Sequence, residues 1–111
     1  MIVNSETVDG VAVLSPSGRI DSNTAAVFET SVTEALARAQ RMILDFSDVP
    51  YVSSAGLRVV LVAAKKLGAK KGGFVLCGLS ESVLDVFQLS GFASILTIMP
   101  DRDAALQSMS G

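Results

Sequence analysis

The sequence predicts an α/β fold, with a mixed sheet of about four to five strands and about four helices in the order β-β-α-β-α-β-α-β-α. Two observations lead to this class. Asp9-Gly10 lies between two runs of strand-forming residues, which is typical of a tight β-hairpin. After the hairpin, short apolar runs alternate with longer segments in which apolar residues recur at helical spacing. The chain has 111 residues, and we expect residues 1–111 to form a single domain.

The hairpin is expected to join a strand at residues 2–8 to a strand at residues 11–15. A type I′ turn needs positive φ at both central positions, and Asp-Gly suits it. Pro16 lacks a backbone N–H and should limit the ladder near the end of the second strand. A loop at residues 18–21 then leads away from the sheet.

A first helix should follow that loop, because Asp21, Ser22 and Asn23 are all good N-cap residues. Its apolar positions recur at helical spacing and comprise Phe28, Val32, Ala35, Leu36 and Ala39. The next run, residues 41–46, is apolar at consecutive positions. This pattern favours a strand that is covered on both faces of the sheet.

The second helix is expected from Ser54 to about residue 67, because two lysines and then Gly68 give a C-terminal signal. Residues 70–73 are predicted to form a surface turn, and residues 74–77 the fourth strand.

The third helix should be capped by Ser80 and end at Gly91. A fifth strand is predicted at residues 95–99, followed by a last short helix through Leu106. Residues 108–111 are expected to be a frayed tail.

The composition argues against several functional classes. Lys and Arg number 9 and Asp and Glu number 11, without a basic block, so nucleic acid is not an expected partner. The chain has no histidine, the commonest general base and zinc ligand, and we expect no catalysis, cofactor or metal site. Cys77 lies in an apolar run and should be a small buried hydrophobe. Without a signal-peptide pattern, and with residues 59–64 as the longest apolar run, a cytoplasmic protein without membrane contact is expected.

Residues 45–57 are the most informative stretch, because a hydrophobic strand ends there, a serine pair follows and a long helix begins. On these residues alone, two interpretations of Ser53 and Ser54 remain open. In the first, one hydroxyl caps the helix by accepting a backbone hydrogen bond, which is worth about 1 kcal/mol. In the second, the cap hydroxyl is also a phosphoacceptor, and a phosphoryl charge of about −1.5 to −2 would change the surface while the fold survives.

The helix predicted at residues 54–67 is apolar on both of its faces. The predicted core stripe comprises Leu57, Val60, Leu61, Ala64 and Leu67. The opposite face should be polar, yet it contains Val59, Val62 and Ala63. Either another helix covers this face, or it is an apolar partner surface rimmed by Arg58, Lys65 and Lys66. Gly56 has two open interpretations as well: approach of a partner or ligand to the first turn, or close packing against a neighbouring strand.

The stretch after the third predicted strand contains Asp45-Phe46-Ser47-Asp48 and then Tyr51-Val52-Ser53-Ser54-Ala55-Gly56-Leu57, followed by an apolar helix. This arrangement resembles the STAS domain, a family named for sulfate transporters and anti-sigma factor antagonists. Weaker similarities cover nearly the whole chain: Gly18-Arg19-Ile20-Asp21 with Thr24-Ala25, Ser90-Gly91-Phe92, residues 95–100 and Asp103-Ala104-Ala105-Leu106. A chain of this size is similar to the bacterial antagonists of the family.

The resemblance implies that Ser54 is phosphorylated, because Ser54 aligns with the family's phosphoacceptor when Gly56 and Leu57 are matched. Ser53 stands where the family often has Asp, and it is the less favoured second acceptor. In the resembled fold the loop with Asp21 and Ser22 comes near the acceptor. The loop and the residue beside the acceptor are combined with Gly56 and the second apolar face of the helix, and the predicted partner contacts are Asp21, Ser22, Ser53, Gly56, Arg58, Val59 and Val62.

The resemblance further implies a partner-switching cycle in a bacterial cytoplasm. The unphosphorylated antagonist binds an anti-sigma factor, which is also an ATP-dependent serine kinase, and the sigma factor is thereby released for transcription. Phosphorylation frees the antagonist, and a metal-dependent serine phosphatase resets it.

Two other classes of function remain to be weighed. A constitutive, unphosphorylated STAS scaffold or an accessory subunit of a transport ATPase would use Ser54 only as a cap. An enzyme is the weakest hypothesis, because residues 52–56 do not give Gly-x-Ser-x-Gly and residues 70–73 are not part of a phosphate-binding P-loop.

Overall fold

The structure of the protein, a computed structural model, describes residues 1–69 and 73–109. Within them the strands are β1 (Ile2–Val8), β2 (Val11–Ser17), β3 (Arg41–Asp45), β4 (Gly73–Cys77) and β5 (Thr97–Met99). The helices are α1 (Ala25–Arg38), α2 (Ser54–Ala69), α3 (Glu81–Leu89) and α4 (Arg102–Met109), with a short 3₁₀ helix (Phe92–Ser94) before β5. The sheet order is β1-β2-β3-β4-β5; β1 and β2 are antiparallel, and the other neighbours are parallel. The predicted α/β fold with a mixed sheet is confirmed.

The first two strands form the predicted hairpin. Asp9 has φ 51° and Gly10 has φ 81°, so both central residues adopt the left-handed conformation that this turn requires. β2 continues through Pro16 to Ser17, beyond its predicted end. Its parallel ladder with β3 stops at Leu14, so the missing N–H of Pro16 does not interrupt that ladder.

The sheet is covered on both faces. One face packs against α1, α2 and α3, and its buried residues include Ala12, Leu14, Met42, Leu44 and Leu76. The other face packs against Ala105 and Met109 of α4, and its buried residues are Val11, Val13, Ile43, Val75 and Cys77. Because successive side chains of a strand point to opposite faces, both covers are needed to bury consecutive apolar residues. Cys77 is buried as predicted, and burial raises the pKa of its thiol to about 12.

A polar network attaches α4 to the sheet. Arg102 donates from Nε to Oδ2 of Asp45 at 3.1 Å and from Nη2 to Oγ of Ser15 at 2.6 Å. Asp45 is only 9% exposed, and it also accepts the backbone N–H of Ser47 at 3.1 Å. Burial raises the pKa of the Asp45 carboxyl, but the hydrogen bonds from Ser47 and Arg102 outweigh burial and hold that pKa below its ordinary value of 3.8.

The start of the first helix differs from the prediction. α1 begins at Ala25, and its N-cap position is Thr24 instead of a residue among 21–23. Residues 21–24 form a hydrogen-bonded turn, in which the backbone N–H of Ala25 donates to the carbonyl of Asp21 at 2.8 Å. Of the three side chains that were expected to cap α1, that of Asp21 organises the turn before the helix by accepting two backbone N–H groups.

The C-terminal elements also differ from the prediction. β5 begins at Thr97, because residues 92–94 form the 3₁₀ helix and Ile95 lies outside the ladder. The predicted fraying of residues 108 and 109 is wrong, since α4 runs to Met109, whose side chain is buried against the sheet. Residues 70–72 of the predicted turn and residues 110 and 111 lie outside the described residues. Among residues 1–69 and 73–109, no helix has the length and apolarity needed to cross a membrane.

Candidate functional site at the start of α2

The loops after β2 and β3 lie side by side, because the two strands are parallel and end at the same edge of the sheet. The backbone N–H of Gly18 donates to the carbonyl of Asp48 at 3.0 Å, and that of Ile20 to the carbonyl of Tyr51 at 2.9 Å. The N–H of Ser53 returns a bond to the carbonyl of Ile20 at 2.7 Å. These bonds hold the loop after β2 next to Ser53, the residue that precedes α2.

The two adjacent serines have different roles at this helix start. Ser53 is the cap: its Oγ accepts the backbone N–H of Gly56 at 3.3 Å, and its carbonyl accepts that of Leu57 at 2.9 Å. Ser54 is the first helical residue and is exposed. Within the described part of the chain, no hydrogen bond involves the Ser54 hydroxyl. Capping therefore accounts for Ser53 and leaves Ser54 without a structural task.

Gly56 is required by close packing inside the protein. A Cβ at this position would lie 2.6 Å from Cγ2 of Ile20 and 2.9 Å from Cγ1 of Val52, closer than side-chain carbon atoms approach one another. Gly56 is buried beneath these two side chains. The structure therefore favours the close-packing interpretation of Gly56 over the predicted partner contact, because the neighbours that need its missing side chain are in the chain itself.

The turn that contains Asp21 is fixed by its own hydrogen bonds. Oδ1 of Asp21 accepts the backbone N–H groups of Asn23 at 2.9 Å and of Thr24 at 3.1 Å. The bond from Asn23 is the largest cause of the lowered pKa of Asp21; desolvation opposes it, and bonds from Thr24 and the charge of Arg19 add to it. Ser22, next in the chain, is exposed. The turn thus places the carboxylate of Asp21 and the exposed Ser22 at the edge of the sheet where α2 begins.

Arg19 and Tyr51 join the same two loops through their side chains. The guanidinium carbon of Arg19 lies 4.4 Å from the centre of the Tyr51 ring, and Tyr51 is 40% exposed. A cation–π contact at an exposed position contributes about 0.5–1 kcal/mol. Sequence reasoning did not single out this pair as part of a site, although the chain has only one tyrosine and it stands three residues before Ser54.

Three residues of the predicted core stripe of α2, Leu57, Val60 and Leu67, are buried as expected, but the buried face extends to the side that was predicted to be outer. Val59 is 6% exposed and Ala63 is fully buried, and both belong to the core cluster that also contains the buried residues of α1. The burial of Val59 argues against its predicted contact with a partner and favours the alternative of a covering helix for that residue. Leu61 and Ala64, which were expected in the core, are only half-buried. Val62 is 41% exposed and stays on the outer side.

The half-buried side of α2 borders a groove that sequence reasoning did not find. The part nearest the helix start has a volume of about 250 Å³ and is lined by Ser54, Leu57, Arg58, Leu61 and Phe92. The adjoining part has a volume of about 350 Å³ and is lined by Leu61, Ala64, Lys65, Ile95 and Leu96. We name these residues together the α2 groove. Its walls are mainly apolar, two cations stand along it, and Ser54 lies at one end.

Ile95 is the side chain that distinguishes this groove from ordinary surface. It is 71% exposed although it is a large apolar residue.

Cavities of about 470 Å³ and 430 Å³ beside α4 are larger, but neither is lined by a predicted site residue. In residues 1–69 and 73–109, no cluster of three His, Cys, Asp or Glu residues is arranged to hold a metal ion.

The order of strands and helices, with the loops after β2 and β3 meeting at the start of α2, is the arrangement of a known family of domains. A family model described as the STAS domain matches residues 3–105, and the chain belongs to the STAS domain family. BtrV of Bordetella bronchiseptica, whose name describes an anti-sigma factor antagonist, is 37% identical over 106 residues, which cover 95% of this chain and 91% of BtrV.

Solved structures of the same fold lead to the same group of proteins. An anti-sigma factor antagonist from Mycobacterium paratuberculosis superposes with a TM-score of 0.93 at 29% identity, covering 99% of this chain and 94% of that one. The Bacillus cell fate determinant SpoIIAA in its phosphorylated form superposes with a TM-score of 0.75 at 21% identity, covering 96% and 99%. The second likeness shows the fold alone, whereas the first is also a likeness of sequence.

Proposed function

We propose that this protein is an anti-sigma factor antagonist that works by partner switching in the bacterial cytoplasm. Unphosphorylated, it binds an anti-sigma factor that is also a serine kinase, and the sigma factor is released. Phosphorylation at Ser54 ends the complex, and a metal-dependent serine phosphatase restores the binding form. The observation that carries this proposal is the division between the two serines: Ser53 caps α2, and the Ser54 hydroxyl is exposed without a partner among the described residues.

The position of Ser54 suits a reversible phosphoryl group. A phosphoryl group adds a charge of about −1.5 to −2, which the positive end of a helix tolerates. Because the cap bond belongs to Ser53, modification of Ser54 leaves the start of α2 intact. The fold is therefore expected to be the same in both states, and the surface to differ.

Ser53 is the poorer acceptor of the two serines. Its Oγ accepts the N–H of Gly56, and the residue is partly buried. A kinase would have to disrupt the cap to reach this oxygen. Removal of a serine cap costs about 1 kcal/mol, so phosphorylation there would compete with folding of the helix start.

The α2 groove supports a binding role and explains how charge would control it. Its apolar walls, among them Phe92 and Ile95, are the kind of surface that a protein partner covers. Ser54 stands at one end of the groove, so a partner seated there would cover the Ser54 hydroxyl. A phosphate at that place would lose hydration on binding, and the removal of a charged group from water is strongly unfavourable. In this scheme the chain is a binder and a kinase substrate, and it catalyses nothing itself.

The decisive experiment compares two single substitutions in the same dipeptide. The protein and its Ser54→Ala and Ser53→Ala variants are incubated with the anti-sigma kinase recovered from the source cells and with ATP. Intact mass is then measured. We expect one added phosphate in the parent and in Ser53→Ala, and none in Ser54→Ala. Equal phosphorylation of Ser54→Ala would remove Ser54 as the acceptor.

Binding to the same anti-sigma factor tests the charge as the switch. Ser54→Glu is expected to weaken the complex by about tenfold or more, which corresponds to about 1.4 kcal/mol, while Ser54→Ala binds like the parent. Equal affinities of Ser54→Glu and the parent would count against charge as the switch. A tight complex that persists after phosphorylation would instead favour a constitutive STAS subunit, such as an accessory part of a transport ATPase.

A further inference from the structure

We propose that Arg58 holds the phosphate on Ser54, so that the two side chains form an ion pair along one turn of α2. This inference rests on the proposed function, because it takes Ser54 as the phosphoacceptor. It goes beyond that function by naming the residue that forms an ion pair with the phosphate and thereby changes the charge of the α2 groove.

The spacing and surroundings of the two residues carry the inference. Residues four apart on a helix are neighbours, and a negative group four residues before a positive one is the favourable orientation. Ser54 and Arg58 both border the 250 Å³ part of the groove, so their side chains face the same space. Arg58 is exposed, and among residues 1–69 and 73–109 it has no ion pair or hydrogen bond that would compete for its guanidinium.

Other charged groups near the helix start are less suited to this role. Arg19 already lies over the ring of Tyr51 and would have to leave it. Lys65 borders the other part of the groove, nearly two helical turns beyond Arg58. Asp21, in the neighbouring loop, is a carboxylate with a lowered pKa, and its charge repels a phosphate. The arrangement therefore favours a phosphate directed along α2 toward Arg58.

The ion pair would change the groove in two ways at once. A guanidinium can donate two parallel hydrogen bonds to phosphate oxygens, which makes such pairs stronger than those of lysine. Phosphorylation would then add an anion at one end of the groove and also engage the cation that otherwise stands free beside it. A partner that binds the groove through an acidic group would lose its counter-charge and meet a like charge instead.

Phosphorus NMR of protein with phosphoserine inserted at position 54 during translation tests the pair without any kinase. The phosphate titrates with a second pKa of about 6, and a nearby guanidinium lowers this value. We expect the pKa to rise by about 0.3 in Arg58→Gln, in keeping with an exposed pair one helical turn apart. Arg58→Lys should remain nearer to the parent than Arg58→Gln, and high salt should reduce the difference because the pair is exposed.

Two matched variants decide between the neighbouring cations. Lys65→Gln removes one positive charge from the same helix and is expected to leave the phosphate pKa near its parent value, and so is Arg19→Gln. An unchanged titration in Arg58→Gln, or a larger change in Arg19→Gln or Lys65→Gln, would overturn the inference. Since the phosphoserine is inserted synthetically, these results do not depend on whether a kinase modifies Ser54. Failure of the kinase assay would refute the proposed function alone.

Discussion

Gly56→Ala is expected to destabilise the protein, although alanine is the better helix former. The substitution adds a methyl group 2.6 Å from Cγ2 of Ile20 and 2.9 Å from Cγ1 of Val52. Overpacking of this kind costs about 1–3 kcal/mol, and the helix propensity of alanine returns about 0.8–1 kcal/mol. We expect a net loss of about 1 kcal/mol in the free energy of unfolding. The disturbance also reaches Ser53, because its N–H donates to the carbonyl of Ile20.

Urea denaturation followed by circular dichroism measures this loss. The midpoint should fall by about 0.5–1 M for a protein of this size. Gly68→Ala is the matched control, because Gly68 lies in the same helix and has no atom within 4 Å of an added Cβ. The control should gain about 0.5–1 kcal/mol. If Gly56→Ala were stabilised as much as Gly68→Ala, the argument that Gly56 is needed for close packing would fail.

Three further predictions concern the cap of α2, the free energy of unfolding at acidic pH and the α2 groove. Ser53→Ala should lower the free energy of unfolding by about 1 kcal/mol, whereas Ser54→Ala should leave it within about 0.5 kcal/mol; equal losses in urea melts would contradict the division between the serines. Burial raises the pKa of Asp45, but hydrogen bonds hold this pKa below 3.8. The contribution of Asp45 to the free energy of unfolding is therefore complete above the unfolded-state pKa and is lost as the pH falls through the folded-state pKa. Asp45→Asn should be less stable than the parent at neutral pH and should lose less free energy of unfolding on acidification to pH about 3. An equally steep loss of stability in the variant and the parent, measured by urea melts, would refute this. Ile95→Asp should weaken binding of the anti-sigma factor by about tenfold in calorimetry, while Leu89→Asp, at an even more exposed apolar residue outside the groove, should not. Equal affinities of the two variants would exclude the groove as the binding surface.

The fold was predictable because its signals are local and repeated. Asp9-Gly10 determines the hairpin by its own backbone preference, and the alternation of short apolar runs with helical periodicity gives the parallel crossovers. The consecutive apolar residues of β3 indicate burial on both faces, which α4 completes from the far side. Boundaries were less predictable: three polar residues before α1 are equally good caps in sequence, and only the hydrogen bonds of the turn place the helix start at Ala25.

The start of α2 after β3, where the candidate site is placed, was predictable from the sequence, but the packing around it was not. A helix that is apolar nearly all round, such as α2, does not determine which of its faces meets the sheet, so the burial of Val59 and the partial exposure of Leu61 depend on where α1 packs. The α2 groove combines α2 with residues 92–96, which are about 30 positions away in the sequence, and no pattern within either segment indicates the other. Gly56 was ambiguous for the same reason, since its neighbours come from two different loops.

The separation of cap and acceptor has a consequence for how phosphorylation would act. If a single serine both capped α2 and carried the phosphate, each phosphorylation would change the stability of the helix start and the surface together. Here the backbone N–H of Gly56 donates to Ser53 and not to Ser54, so a phosphoryl group on Ser54 would leave this bond in place and act mainly on the surface. Ser54 and Arg58 lie on that surface at one end of the α2 groove. Under the proposed function, a partner seated in the groove would detect the modification, and a fold unchanged by phosphate would allow the same domain to be bound, released and bound again.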